Sequence, residues 1–578
     1  MSYPASSLLT LRLSAWRSQL LLGVIFLWFL GLVGRDLYLQ GLHNDFLRQK
    51  GDARYSRVME LTAHRGMITD RLGEPLAIST PVESVSASPQ DIELESGKFK
   101  QLAKLLDMDD RELKGKLSDK NREFVYLKRQ LPPEQAAKVV QLNIPGVFLQ
   151  REYRRYYPAG DVMSHVLGFT GVDDNGQEGL ELSYQDWLAG KAGSRRVIKD
   201  RLGHIIEDVE SIRVPQEGKT LALSIDRKIQ YLAFRELKEA VEENKAKAGA
   251  IVVLDAKTGE ILAMANMPSY NPNNRTKLAG GRTRNRAITD TFEPGSTLKP
   301  FTIAEALDAG LVKPDSKIDT GTGHYSIGPA TIHDSHPGGV MTVAQIIQKS
   351  SNVGAAKIAL SLAPDALWGM LNNVGFGTAP HSGFPGEASG KLRPYKTWRP
   401  IEQATMAYGH GISVSLLQLA KAYTIFADGG EIKPLSFVKL EAPAVGKQEI
   451  SPATALAVRQ MLELVVQPGG TAPRAQIMGY RVAGKTGTAH KIDASGKYAA
   501  DKYVSSFIGM APASNPSLIV AVMIDEPSAG TYYGGMVAAP VFSKVMSGAL
   551  RMLSIPPDAP TNNIVIPPEN APEIKEEV

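Results

Sequence analysis

"TFEPGSTLKPFTIAEALDAG", Thr291 to Gly310, decides what this chain is built to be. Proline lacks an N–H and fits only the first turn of a helix, so Pro300 limits how far upstream a helix through this stretch can begin. The pattern predicts a start close to Ser296, with Gly295 allowing the chain to turn sharply into it. Ser296 and Lys299, three apart, then share one face at the helix mouth. The free N–H groups and partial positive charge there favour an anion. A serine so placed, with an amine in reach, is a nucleophile with a candidate base. An ammonium cannot accept a proton. Bringing a lysine from about 10.4 to about 7 takes ~4–5 kcal/mol of differential interaction, which burial or a second cation can supply. A second Ser-x-x-Lys, Ser436 to Lys439 in "IKPLSFVKLEA", alternates like a strand and puts its pair on opposite faces. It reads as a decoy.

Two further tripeptides complete the pattern. Lys485 in "YRVAGKTGTAHK" ends an extended run that continues into Thr488 and Ala489, as an edge strand with free N–H groups would. It is the candidate second cation. Its look-alike, Lys257-Thr258-Gly259, sits at a hairpin turn where glycine is expected and lysine is solvated. Ser350-Ser351-Asn352 lies between the helical "VAQIIQK" and "VGAAKIAL", whereas Ser269-Tyr270-Asn271 lies in a Pro/Asn loop. Singly each tripeptide is weak; in this order and these contexts the three are strong together.

The segments around them predict one α+β domain over 221–555. "TLALSI" reads as a strand, and Asp226 as the cap of an amphipathic helix. "AGAIVVLDAKTGEILAMANM" reads as a hairpin, and "SFIGMAPA" and "SLIVAVMID" as two late strands. Pairing the first strands with the last gives a single antiparallel sheet. Helical segments 301–309, 343–359, 415–426 and 452–465 would cover its faces.

The 578 residues exceed what one core usually spans. A hydrophobic share of 43% and a charged share of 22% exclude wholesale disorder. Net charge is +5, with no basic block or basic-aromatic stripe, which argues against nucleic acid. Cysteine is absent, removing disulfides, thiolate catalysis and zinc-thiolate sites, and suiting an oxidising compartment. "SQLLLGVIFLWFLGLVG", from Ser18, carries no charge and is preceded by Arg12 and Arg17. It predicts an uncleaved transmembrane anchor over 18–40, with residues 1–17 cytoplasmic and the rest across the membrane. Residues 41–220 read as short strands and helices, mainly β, and the Pro- and Glu-rich tail 556–578 as disordered.

Together the three boxes resemble those of the penicillin-recognising serine acyltransferases. "HRGMITDRLGEPLA", "RRYYPAG", "SHVLGFTGVDDNGQEGLELSYQDWLAG" and "KDRLGHIIED" are similar to the pedestal motifs of class B penicillin-binding proteins. "SSNVGAAKIAL", "YGHGISVSLLQLAKAY" and "APVFSKVM" resemble the septal, FtsI-type branch most. The resemblance implies a periplasmic D,D-transpeptidase that cross-links peptidoglycan stem peptides during division, on an elongated pedestal of the dimerisation type, and that β-lactams acylate. It implies Ser296 as nucleophile, Lys299 as base, and Ser350 and Asn352 as proton relay and peptide holders. Lys485 would set the electrostatics, and Thr486, Gly487 and Thr488 would bind substrate, the threonines through its carboxylate. Tyr503, Tyr532 and Tyr533 resemble aromatic residues lining the cleft. The N–H groups of Ser296 and Thr488 would form the oxyanion hole. No cofactor or metal is implied. Lacking a glycosyltransferase domain, such a protein would work with the SEDS-type polymerase FtsW and other division proteins, in the inner membrane of a Gram-negative cell.

Plainer readings stand beside these. His333-Asp334-Ser335-His336 has no third ligand at regular spacing and reads as a polar loop near the cleft rather than a metal site. Met264 and Met267 are expected in the core, and the Lys/Glu-rich 234–247 as a solvated helix face. Arg65, Asp70 and Arg71 are expected in structural ion pairs. An elongation-type transpeptidase, a D,D-carboxypeptidase and a β-lactamase share the chemistry; the long pedestal argues against the last two. A β-lactam-acylated sensor would normally carry more membrane spans.

Overall fold

A computed structural model describes residues 14–42, 56–92, 96–122, 124–199, 205–276, 281–492 and 496–565. Most of the expected cytoplasmic N-terminus, the start of the pedestal at 43–55, and the tail from 566 lie outside the described residues. The apolar segment forms the helix Ala15–Leu37, continued by a π-helical turn over Tyr38–Leu42. Its 23 residues, rising ~1.5 Å each, are long enough for a bilayer core. Among the described residues it is the one helix long and apolar enough to cross a membrane. It begins three residues before the predicted span, so Arg17 lies within its first turn.

Contacts divide the chain into two units that interleave in sequence: Met1–Ala63, Pro81–Glu152 and Lys191–Gln216 form one, and His64–Thr80, Tyr153–Gly190 and Glu217–Val578 the other. In the first, Ser56–Leu61, Gly193–Lys199 and Ile205–Arg213 make a three-stranded antiparallel sheet. The helical spacing after Phe99 yields two helices, Ser96–Leu105 and Asp110–Leu117, the second capped by Asp109. Their buried Leu102, Leu113 and Leu117, with Leu106 in the turn between them, join Val85 and Leu127 in one apolar cluster.

In the second unit, the hairpin over 248–267 pairs with the chain's last strands. β1 (Ala248–Asp255), β2 (Ile261–Met267), β3 (Ala483–Ile492), β4 (Tyr498–Ala511) and β5 (Leu518–Asp525) form one antiparallel sheet in the order β2-β1-β5-β4-β3. Strand β3, carrying Lys485, is therefore an edge. The hairpin turn is held by Asp255 Oδ1, which accepts from the N–H groups of Lys257 and Thr258 at 2.9 and 3.0 Å. Gly259 there has a φ of +75°. Met264 and Met267 are buried, as expected.

The helices that frame the site and its sheet, among others, are α1 (Arg227–Glu243), α2 (Lys299–Asp308), α3 (Val343–Lys349), α4 (Asn352–Ser361), α5 (Leu416–Ala422), α6 (Pro452–Val466) and α7 (Ala539–Met552). Asp226 caps α1, accepting from Lys228 N at 2.9 Å and Ile229 N at 3.1 Å. α1 packs on β1 and β2, α7 on β4 and β5, and α6 on β3. The ring of Phe301 in α2 meets Phe376, Tyr423 and Phe426 with centroids 5.1–5.4 Å apart, which anchors the helix that follows Ser296.

Three local expectations are refined. The helical run 343–359 is two helices, because Ser350 takes a left-handed conformation, φ +62°, that closes α3. The 234–247 face is not wholly solvated: Glu236 is 6% exposed and pairs with Arg235 at 2.6 Å and Lys544 at 3.3 Å. Arg65 forms a buried pair with Glu181 at 2.7 Å, and Arg71 meets Glu260 at 3.6 Å. Asp70 does something else. Its Oδ1 accepts from Leu72 N and Glu74 N at 2.9 and 2.8 Å, holding the turn at Gly73.

Candidate active site

Pro294 and Gly295 set the geometry from which the site grows. Gly295 adopts a φ of +55° and leads into a 3-10 turn, Gly295–Leu298, after which α2 begins at Lys299 with Pro300 in its first turn. Ser296 and Lys299 thus face the same way, with Lys299 Nζ 2.8 Å from Ser296 Oγ. Across from this turn, Gly409 is required by space as well as by its φ of +86°. A Cβ on Gly409 would lie 2.3 Å from Gly295 O, so the 407–410 loop lies directly on this turn.

Ser350 and Asn352 arrive through the break between α3 and α4. Asp334 fixes that break: its Oδ1 accepts from Asn352 N at 2.6 Å and Val353 N at 3.0 Å, and its Oδ2 from Ser351 Oγ at 2.6 Å. A carboxylate at a helix N-terminus satisfies orphan N–H groups and the helix dipole together. Asn352 Oδ1 then lies 2.8 Å from Lys299 Nζ, and Ser350 Oγ 3.1 Å from it. From the edge strand, Lys485 Nζ reaches Ser350 Oγ at 2.9 Å. Two lysines from helix and strand meet at one hydroxyl, and both are fully buried. A hydroxyl accepts two hydrogen bonds and donates one, so Ser350 can serve both amines.

The decoys stay apart from this cluster. Ser436 Oγ donates to Val438 O, Lys257 pairs with Asp428 at 2.9 Å, and Ser269 Oγ donates to Asp161 O.

The comparisons with known proteins fall on the same residues. The pattern described as "Penicillin binding protein transpeptidase domain" matches residues 249–547, and "Penicillin-binding Protein dimerisation domain" matches 60–223. "Probable peptidoglycan D,D-transpeptidase PenA" of Neisseria gonorrhoeae is 46% identical over 536 residues, 92% of each chain. The chain belongs to the penicillin-binding protein transpeptidase family. "Peptidoglycan D,D-transpeptidase FtsI" of Escherichia coli is 43% identical, covering 95% of this chain and 93% of that one. The solved transpeptidase domain of Burkholderia pseudomallei penicillin-binding protein 3 is 49% identical, with a TM-score of 0.55, covering 58% of this chain and 98% of that one.

The other residues expected in the cleft lie on β3, on β4 and in the loop that follows β5. Thr486 Oγ1 lies 2.7 Å from Thr471 Oγ1, and Thr488 Oγ1 accepts from Gly534 N at 3.1 Å. Gly487 has no room for a side chain: a Cβ would lie 2.5 Å from Ser506 Oγ and 2.8 Å from Pro294 O. Tyr503 and Tyr532 stack at 3.8 Å with planes 5° apart, Tyr533 follows at 4.6 Å, and His490 joins Tyr503 at 4.6 Å. Ser505 Oγ donates to Tyr532 O, tying this ladder to β4.

Several participants went unread in the sequence. Glu293, three residues before Ser296, accepts from Gly411 N at 2.8 Å and Tyr498 OH at 3.0 Å; burial pushes its carboxyl up. His410 is held down to about 4, by burial first and then by the charges of Lys299 and His490. "YGHGIS" had marked the loop as a motif without assigning its residues. Thr471 and Gly534 carry no local signal. Asp334 was noticed only in a metal-like tetrapeptide, and its work is to cap α4.

Proposed function

We propose that this chain is a peptidoglycan D,D-transpeptidase that works through a Ser296 acyl-enzyme at the division septum. The observation that carries this is the convergence of Ser296, Lys299, Ser350 and Lys485 within hydrogen-bond distance of one another in a chain. Ser296 Oγ attacks the penultimate D-alanine carbonyl of a donor stem peptide and passes its proton to Lys299. Lys299 Nζ has four oxygens around it, those of Ser296, Ser350 (two) and Asn352. A neutral amine could donate to two of them and accept from the Ser296 hydroxyl. Lys485 at the same serine disfavours a second positive charge there.

The Oγ–C bond forms, and the amide C–N bond breaks. The last D-alanine leaves after its nitrogen takes a proton relayed through Ser350. An amino group of a neighbouring stem then attacks the ester, loses a proton to the same relay and frees Ser296. The N–H groups of Ser296 and Thr488 hold the developing oxyanion. Asn352 holds the peptide, Thr486 and Thr488 its terminal carboxylate, with Gly487 between them. Tyr503, Tyr532 and Tyr533 wall the cleft. A β-lactam enters as an acyl donor whose leaving nitrogen stays tethered.

The N-terminus is cytoplasmic, the apolar helix Ala15–Leu37 is the membrane anchor, and the site is periplasmic. Glycan polymerisation falls to a SEDS-type partner such as FtsW. An elongation role is the second reading of the same chemistry. The purified protein should bind a fluorescent penicillin covalently, Ser296→Ala should abolish that labelling and Ser436→Ala should leave it. Rapid loss of the label from the wild type would instead point to a β-lactamase. Filaments on depletion would support the septal role, and swollen cells the elongation role.

A further inference from the structure

A cavity of about 400 Å³ opens between the 334–338 loop and α3, and Ser350 and Ser351 are among the residues that line it. Met341, Gln345 and Lys349 line one wall; at four-residue spacing they form a single stripe along the approach to α3 and the helix itself. Pro337 and Gly338 line the wall on the loop side. A Cβ on Gly338 would lie 2.0 Å from Met341 Cε, so the two walls touch at the methionine tip.

The charges in this cavity are unequal. Its carboxylate, Asp334, has both oxygens committed to Ser351, Asn352 and Val353. Its ammonium, Lys349, is exposed, and among the described residues no carboxylate lies within ion-pair distance of it. A Cβ on Gly469 would lie 3.3 Å from Lys349 Nζ. The ammonium therefore stands over the loop whose Thr471 bonds Thr486 in the edge strand.

We propose that this cavity is a subsite for a carboxylate-bearing stretch of the stem peptide, with Lys349 holding the carboxylate and Gln345 facing the peptide backbone. The proposal rests on the transpeptidase reading above. A ligand that starts at Ser296, passes Ser350 and continues into the cavity must be extended. It must also be partly apolar and negatively charged near Lys349, as a stem peptide carrying an upstream carboxylate is. That peptide is either the donor strand or the acceptor strand. Lys349 also lies in the last turn of α3, where the negative end of a helix favours a cation. A lysine serving only the helix would be indifferent to the charge of the peptide.

The test uses the full chain in detergent and two peptides ending in D-alanyl-D-alanine. They differ in one upstream group, a free carboxylate or its carboxamide. The first-turnover burst of D-alanine, which needs no acceptor because Ser296 keeps the acyl group, reports the donor arm; the same pair supplied as acceptor to the carboxamide donor reports the other, through the ratio of transfer to release. Wild type and Lys349→Arg should prefer the free acid in one arm by about five-fold in KM, the scale of a partly exposed ion pair. Lys349→Gln should lose the preference. A wild type blind to the difference in both arms, or a Lys349→Gln variant that keeps the preference, would overturn the subsite. Failure of the wild type to release D-alanine from either peptide would overturn the transpeptidase reading, and the subsite with it.

Discussion

Lys299 has no exposed surface, yet its amine meets the nucleophile, the Ser-x-Asn box and, through Ser350, a second lysine. Replacing it by methionine, of similar length, keeps the volume and removes the base. Penicillin acylation, followed by the second-order rate of fluorescent labelling, should fall by roughly 10²–10⁴. A loss below ten-fold would mean another group takes the proton. Residue-scale chemistry also predicts an acid-sensitive fold. His165 is buried with Nε2 2.8 Å from Arg282 O, and burial holds it down to about 4. An unfolded histidine titrates near 6.5, so between about 6.5 and 4 the unfolded chain binds a proton that the folded chain refuses. That stability is complete above about 6.5 and is lost as the pH falls towards 4. The melting temperature should drop from pH 7.5 to pH 5, and by less in His165→Gln. His410 shares the window, so the drop should shrink rather than vanish.

At the scale of elements, the site depends on one helix break and one close loop. Asp334→Ala removes the side-chain acceptor of two N–H groups of α4 and of the Ser351 hydroxyl. A lost cap of this kind costs about 1–2 kcal/mol, and Asn352, freed from its anchor, should shift from Lys299. Lower melting temperature together with slower acylation is the expected result; unchanged acylation would show that Asn352 holds its place without Asp334. Gly409→Ala adds a Cβ 2.3 Å from Gly295 O at a φ of +86°, and acylation should slow because the Ser296 turn must move. The three boxes were legible because each carries its local context: proline after Lys299, an extended run into Lys485, helical runs about Ser350. Asp334 and Thr471 were not. Each acts on a partner 15 or more residues away, and such a contact exists only once loops and strands have folded back. The left-handed Ser350 was hidden for a related reason, since a serine advertises no positive φ.

Over the whole molecule, the first-with-last strand pairing was readable from apolar runs and their turns. The interleaving of the two units was not. Segments 64–80 and 153–190 join the unit of the catalytic sheet, and Ile68, Leu76 and Leu167 lie in its core, although local texture gives them the look of the pedestal. Membrane topology offers a clean test because the chain has no cysteine of its own. A single cysteine at an exposed position such as Val445 should react with a membrane-impermeant maleimide in cells whose outer membrane alone is opened. Labelling only after lysis would reverse the proposed orientation. The most direct test of the account is where a penicillin attaches. Intact-mass analysis after treatment with benzylpenicillin should show one added acyl group, and peptide mapping should place it on Ser296. An adduct on Ser350 or Ser436, or none on a folded protein, would contradict the account.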